Sequence, residues 1–494
     1  LRLRSPLADM VSAPAESQRL SAYGPAPTAR QPVTGAPYAF AIVSPAMAIQ
    51  TSADSLQART ARQPADSSAV NRLVWLVGLS HATNHLVMLV FPAVLLLVQQ
   101  EFDLGLTALG ILASVSFLCY GLGALPAGML ADRFGGERVL AVWLLGAGLG
   151  CAAVAFATGP WSLGSGLALL GLFASLHHPA GSGVLVNLRV RLGTNVGRAF
   201  GLSGILGNIG LAASPILAAA IGVGWGWRAA FFLSAIPCWL LVLPLWRHPG
   251  LAATAGGFPS QRESLWNALT LPLIMLFALE TLMGFVFQGF STFLPAYLAG
   301  HVGIAAITAA QVRRGGAFAS LSLLFGGLGH LAAGRLMGSR HQEAVFLVAV
   351  TASTCCLFGM GMTSGGLLLL FSMLLSCTYF ALGTISNTFM AQHTPPRLGG
   401  TVFGVTFTLA FGVGSLASTT MGAVGEVFGL PVIFSGLGAV GVGGMALVAG
   451  FLYTTGAWQR VRYAALAERP LSDSRGTSQP SGPSGLSGSP DERG

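Results

Sequence analysis

Charge is scarce in this chain, and lysine is missing from it altogether. Asp, Glu and Arg make up 8% of the 494 residues, and all 25 basic residues are Arg. A soluble domain carries about a quarter charged residues, so a water-solvated globular fold is excluded. What replaces charge is apolar: 53% of the residues are hydrophobic and the mean hydropathy is +0.70. That composition belongs to integral membrane proteins. The six cysteines (119, 151, 238, 355, 356 and 377) all fall in apolar runs. None has metal-ligand or C-x-x-C spacing, so they read as small buried residues. The formal net charge of +9 would suit nucleic acid, but its distribution fits membrane orientation instead. No cofactor and no nucleic-acid partner are expected.

Residues 1–70 are rich in Ala, Pro, Ser, Thr and Gln without a sustained helical period, which reads as a disordered tail. Twelve apolar runs follow, at 73–98, 106–130, 139–158, 162–187, 199–221, 228–246, 270–298, 316–337, 343–363, 366–390, 401–424 and 430–454. Each is near the roughly 20 residues that cross a bilayer, and they are numbered spans 1 to 12 below. The 67 glycines favour close helix packing. The stretch 247–269 reads as a linker between two six-span halves, 71–246 and 270–455. Residues 456–494 read as a second flexible tail.

Arginine sets the expected orientation. With the N-terminus inside, ten arginines (133, 138, 189, 191, 198, 247, 262, 335, 340 and 397) fall in inside loops. Only Arg228, Arg313 and Arg314 fall outside. This bias predicts both termini in the cytoplasm. The halves also overlay. Pro92 matches Pro295 and Phe200 matches Phe403, each at an offset of 203, and Gly128 matches Gly334 at 206. A duplicated six-helix unit is the expected plan.

Polar side chains gather in spans 1, 4, 7 and 10. Span 1 has His81, Asn84 and His85; span 4 has His177 and His178; span 7 has Glu280 and Gln288; span 10 has Tyr379, Ser386 and Asn387. An ionisable group at the bilayer centre costs about 2.5 kcal/mol or more unless it faces a polar interior. These four spans are therefore expected to surround a central cavity. His81, His85, His177, His178 and Glu280 are candidates for proton coupling. Asn84, Gln288, Tyr379 and Asn387 are candidates for the substrate cavity. The competing reading for each is an interhelical hydrogen bond, since buried polar groups need partners. His81 and His85 have the i,i+4 spacing of a metal pair, but no third ligand follows in sequence. Proton chemistry is preferred, and no metal is expected. Gly201-Leu-Ser203-Gly204 matches the G-x-S-G of intramembrane proteases, a four-residue pattern with a high chance frequency in so glycine-rich a chain.

The stretch from Gly128 to Arg138 holds Gly128, Asp132, Arg133, Gly135 and Arg138. It resembles the loop 2–3 signature of the major facilitator superfamily, with Gly136 and Glu137 interrupting the usual basic end. His81-Ala-Thr-Asn84-His85 and Leu176-His177-His178-Pro179-Ala180 resemble the fosmidomycin-resistance branch, with Ala180 where that branch has an acidic residue. Span 5 resembles the antiporter motif at Gly201, Gly210 and Pro215, although Ser214 replaces a glycine. Leu167 stands where many proton-coupled exporters carry arginine. The resemblance implies an all-α membrane fold with twelve transmembrane helices in two pseudo-symmetric six-helix halves. It also implies alternating access, with the 128–138 loop as a conformational latch.

The expected protein is a monomeric secondary transporter of the plasma membrane that exports a small organic molecule or drug by proton antiport. Uptake of an organic anion is the alternative, disfavoured because no arginine lies mid-span. A membrane sensor or an intramembrane enzyme is the expectation from a different class, disfavoured because neither tail has the apolar content of a folded domain. The latch loop is unequal to its echo, since Gly338 stands where Asp132 would be. Asp132→Asn is therefore expected to slow transport in vesicles more than Gly338→Ala. Equal effects would reduce the loop to a tight turn.

Overall fold

The computed structural model describes residues 67–192, 196–248, 269–301, 308–337, 339, 341–395 and 398–458. The predicted tails and linker lie almost entirely outside these residues, as do Gly338 and the side chain of Asp132. Among the described residues every regular element is helical, and eleven helices are long and apolar enough to cross a membrane. Span 4 accounts for the twelfth crossing. It is split into Pro160–Ala174 and His177–Leu192, neither half long enough alone.

The helices run longer than the apolar pattern. Span 1 covers Ser67–Met88 and Val90–Phe102, with a break at Leu89. Pro92 explains the break, because its ring excludes an amide hydrogen and crowds the preceding turn. Span 2 runs from Leu106 to Phe134, four residues beyond its predicted end. Gly128, Asp132 and Arg133 thus sit on the last turns of a helix rather than in a loop. The turn is Gly135 alone, at φ +89°, and span 3 begins at Gly136. Arg133 covers the Phe134 ring at 5.3 Å.

Glu137 is 3% exposed in the first turn of span 3, and Glu343 is 4% exposed in the first turn of span 9. The two stand 206 residues apart, the offset already seen for Gly128 and Gly334. A carboxylate there complements the positive end of the helix dipole. A second pair repeats in the backbone. Gly226 and Gly429 both have φ +88° between consecutive spans, and they stand 203 residues apart. An L side chain is strained in that region, so both halves keep glycine at the same corner.

The halves meet along two seams. Span 2 packs on span 11 (Gly399–Phe407, Thr408–Val413 and Leu416–Phe428), and span 5 (Val196–Trp225) packs on span 8 (Ala309–Leu336). Glycine sets how closely they approach. Gly110 faces the Ser418 backbone, Gly422 the Leu106 backbone, and Gly316 the Pro215 backbone, with no room for a Cβ at any of them. Hydrogen bonds tie the seams: Ser114 Oγ donates to the Ser415 carbonyl at 2.5 Å, and Ile216 N donates to Ser320 Oγ at 2.9 Å. Glu426 Oε2 accepts from Thr107 N at 2.8 Å, so an acid of span 11 caps the start of span 2.

The Val90–Phe102 half of span 1 packs on spans 7 (Leu271–His301) and 8, whereas the Ser67–Met88 half packs mainly within its own half of the protein. The halves are thus joined toward the face bearing Glu101 and part toward the face bearing Arg133. At the joined face Arg228 pairs with Glu101 at 2.7 Å, and Trp227 Nε1 donates to Glu101 at 2.6 Å. Arg228 also donates to the Ala157 carbonyl, so spans 1, 3 and 6 are pinned together there.

Within the first half, Gly210 abuts the Ala82 backbone, while Gly201 has open space about it. Gly210→Ala is expected to destabilise the detergent-purified protein by about 1–3 kcal/mol through overpacking. Gly201→Ala is expected to leave its melting temperature unchanged. Thermal unfolding of the two variants side by side tests this.

Candidate functional site

Span 1 carries His81 and His85 one turn apart, and the broken span 4 brings His177 and His178 against them. The four rings form one cluster. Ring centroids lie 4.8 Å apart for His81 and His85, 5.1 Å for His81 and His177, 5.0 Å for His81 and His178, and 5.2 Å for His177 and His178. Tyr120 of span 2 and Phe407 of span 11 border the cluster, with Phe407 stacked on His178 at 5.3 Å. Both halves of the protein therefore contribute to its wall. His177 is buried; His81, His85 and His178 are partly exposed although they lie deep in the bundle.

The proton positions follow from the partners. His81 Nδ1 lies 2.9 Å from the Ser203 carbonyl, which only accepts, so Nδ1 carries the hydrogen. Nε2 of a neutral His81 then accepts, and the 3.1 Å contact with His85 Nε2 places a hydrogen on His85. Gly207 makes room for the His81 ring, which a Cβ would strike. Ser203, whose Oγ also lies 3.2 Å from His81 Nδ1, and Gly207 thus seat a histidine, while Gly201 and Gly204 of the G-x-S-G pattern have open space about them. On the other side, Ser80 Oγ receives the Trp143 indole hydrogen at 2.9 Å and lies 3.2 Å from His177 Nδ1.

Asn84 does something different from its neighbours. It is 1% exposed, and its Nδ2 donates to the Ala174 carbonyl at 3.0 Å. That carbonyl is freed where span 4 breaks ahead of Pro179. A polar side chain meeting an open carbonyl is the bond a proline break requires.

The second-half candidates form a separate group. Glu280 is 8% exposed, and its Oε1 has no hydrogen-bond partner; nearby Ser386 Oγ is likewise unpartnered. Gln288 is fully buried, with both amide atoms unpartnered. Tyr379 donates to the Met283 carbonyl at 2.7 Å and lines a small apolar crevice between spans 7, 9, 10 and 12. Asn387 is exposed, with Nδ2 on the Gly383 carbonyl at 2.9 Å. Spans 1, 4 and 7 carry buried candidates and Asn387 of span 10 is exposed, while buried polar side chains occur outside the four spans as well, among them Glu137, Gln311 and Glu343.

Two contributors escaped the sequence reading. His330 of span 8 bonds Thr384 Oγ1 at 2.7 Å, with its ring 5.2 Å from that of Phe380. Its signal was present, a lone histidine in an apolar run, but span 8 lies outside the four spans that drew attention. The other is the π-helical turn Thr408–Val413, which follows Phe407 directly and itself makes the Gly412 contact with Gly121. Single π turns occur often at functional sites, and nothing in residue type announces one.

Comparison with known proteins bears on the family and the fold. The profile of the Major Facilitator Superfamily matches residues 76–419. The MFS-type transporter YfnC of Bacillus subtilis is 24% identical over 385 residues, covering 76% of this chain and 91% of its own. The multidrug resistance protein MdtG of Serratia proteamaculans is 32% identical over 128 residues, or 26% of this chain and 30% of its own. Among solved structures, the nucleoside transporter NupG superposes with a TM-score of 0.63 at 14% identity, over 77% of this chain and 99% of its own. Such a likeness concerns the fold.

Asn84→Ala would leave the Ala174 carbonyl buried without its partner. The expected cost is about 1–3 kcal/mol, read as a lower midpoint in chemical denaturation. An unchanged midpoint would mean that water substitutes freely at the break.

Proposed function

Because the chain belongs to the major facilitator superfamily and is a multi-pass membrane transporter, we propose that it exports a small organic molecule in exchange for protons. Its halves would rock against one another, parting the two glycine seams so that a site between them faces each side in turn. The orientation with both termini in the cytoplasm rests on the arginine bias. It would place the Arg133 face toward the cytoplasm of a plasma membrane. The short match to a multidrug resistance protein and the resemblance of the histidine motifs to the fosmidomycin-resistance branch favour a drug-like cargo.

The observation that carries the proton assignment is Glu280. It is an acidic side chain buried deep in a span, with a carboxyl oxygen that no protein group satisfies. A carboxyl group in that position exchanges a proton with whatever water reaches it, and intramembrane acids commonly serve proton relays. Tyr379 of span 10 lies in the same half, its hydroxyl on the Met283 carbonyl of span 7. The aromatic border of the histidine cluster suits a flat apolar cargo with a few polar groups.

Glu280→Gln is expected to reach the membrane at the wild-type level and to lose proton-driven efflux in inverted vesicles. A protonophore should reduce wild-type efflux and leave the variant's residual flux untouched. Full proton coupling in Glu280→Gln would overturn the assignment.

A further inference from the structure

We propose that the histidine cluster is a binding site for a divalent first-row transition-metal ion, with His81, His177 and His178 as ligands and His85 beside them as a fourth. The third ligand that sequence spacing did not supply comes from across the bundle. The ligating nitrogens of His81, His177 and His178 lie within 4.8 Å of one another. The His81 and His85 Nε2 atoms are 3.1 Å apart. Nitrogens bound tetrahedrally to one ion at 2.0–2.1 Å stand about 3.3 Å from each other. The first pair is therefore already at ligand spacing, and ring rotation brings in the others. In the unloaded protein one hydrogen lies between the two nitrogens; an ion would sit off the line joining them, where the lone pairs of four rotated rings converge.

The surroundings carry the outer layer that such sites use. A ligating histidine almost always donates its other ring hydrogen to a carbonyl or similar acceptor. His81 does so through Nδ1 to the Ser203 carbonyl. His177 has Ser80 Oγ at Nδ1, held by Trp143, and that hydroxyl can accept from both. Each bond leaves the Nε2 of its ring for the cavity. The donors are imidazoles from spans 1 and 4, with no carboxylate among them. Neutral nitrogen ligands select zinc, nickel, cobalt or copper over magnesium and calcium. The partial exposure of His81, His85 and His178 gives an ion a way in.

Purified full-length transporter in detergent, titrated with Co²⁺, tests the site directly. The expected result is one Co²⁺ per chain with the intense visible absorption of tetrahedral nitrogen coordination, displaced by one equivalent of Zn²⁺. A weak six-coordinate spectrum, or no binding, overturns the proposal in the wild-type protein alone. His178→Asn and His81→Asn should each abolish that absorption. Replacement of the exposed Cys355 by Ser should not. Absorption that persists in both histidine variants, or that is lost with Cys355, would place the ion elsewhere. Neither measurement depends on transport or on Glu280, so failure here leaves the proposed antiport untouched.

Discussion

The two halves of this transporter meet backbone to backbone, and the rest of the structure depends on that approach. Lipid supplies no hydrophobic force to hold helices together, so close packing and hydrogen bonds must do it. Gly110, Gly422 and Gly316 admit the partner backbone where any side chain would hold it away. Ser114 and Ser320 then reach across with hydroxyls. Seams of this kind bind through many small contacts rather than a few strong ones. They hold without a deep interlock, and parting them breaks no large cluster of charge. Glu426, an acid of span 11, caps a helix start at the rim of the span 2–11 seam.

Within each half, a second constraint sorts the polar residues. A polar group cut off from water must find its partner in the protein. The breaks in spans 1 and 4 open backbone groups in the middle of the bundle, and Asn84 answers one of them. The same breaks turn His81, His85, His177 and His178 into a single cluster. Glu280 and Gln288 are among the exceptions, with side-chain atoms that no protein group satisfies; Tyr120, Asn208 and Ser386 are others.

Much of this was legible in the residues. Hydropathy located the spans, and the constant offset between Pro92 and Pro295 announced the duplication. Helix ends were harder, because Asp132 and Arg133 read as a loop by polarity although they extend span 2 to Phe134. The sequence also identified every histidine of spans 1 and 4, but not that Asn84 serves a carbonyl and His81 a second one. Those pairings join residues about a hundred positions apart, which periodicity cannot see. His330 was overlooked for a similar reason, since only the folded bundle turns it toward Thr384 of span 10.

The central claim is that the seam between spans 2 and 11 must part for transport to occur. Ser114 Oγ and Thr419 Oγ1 lie 2.8 Å apart across it. In a background with the six native cysteines replaced, Ser114→Cys with Thr419→Cys can be oxidised to a cross-link and reduced again. Substrate flux through proteoliposomes should stop on oxidation and return on reduction. Undiminished flux through the fully cross-linked protein would contradict the account.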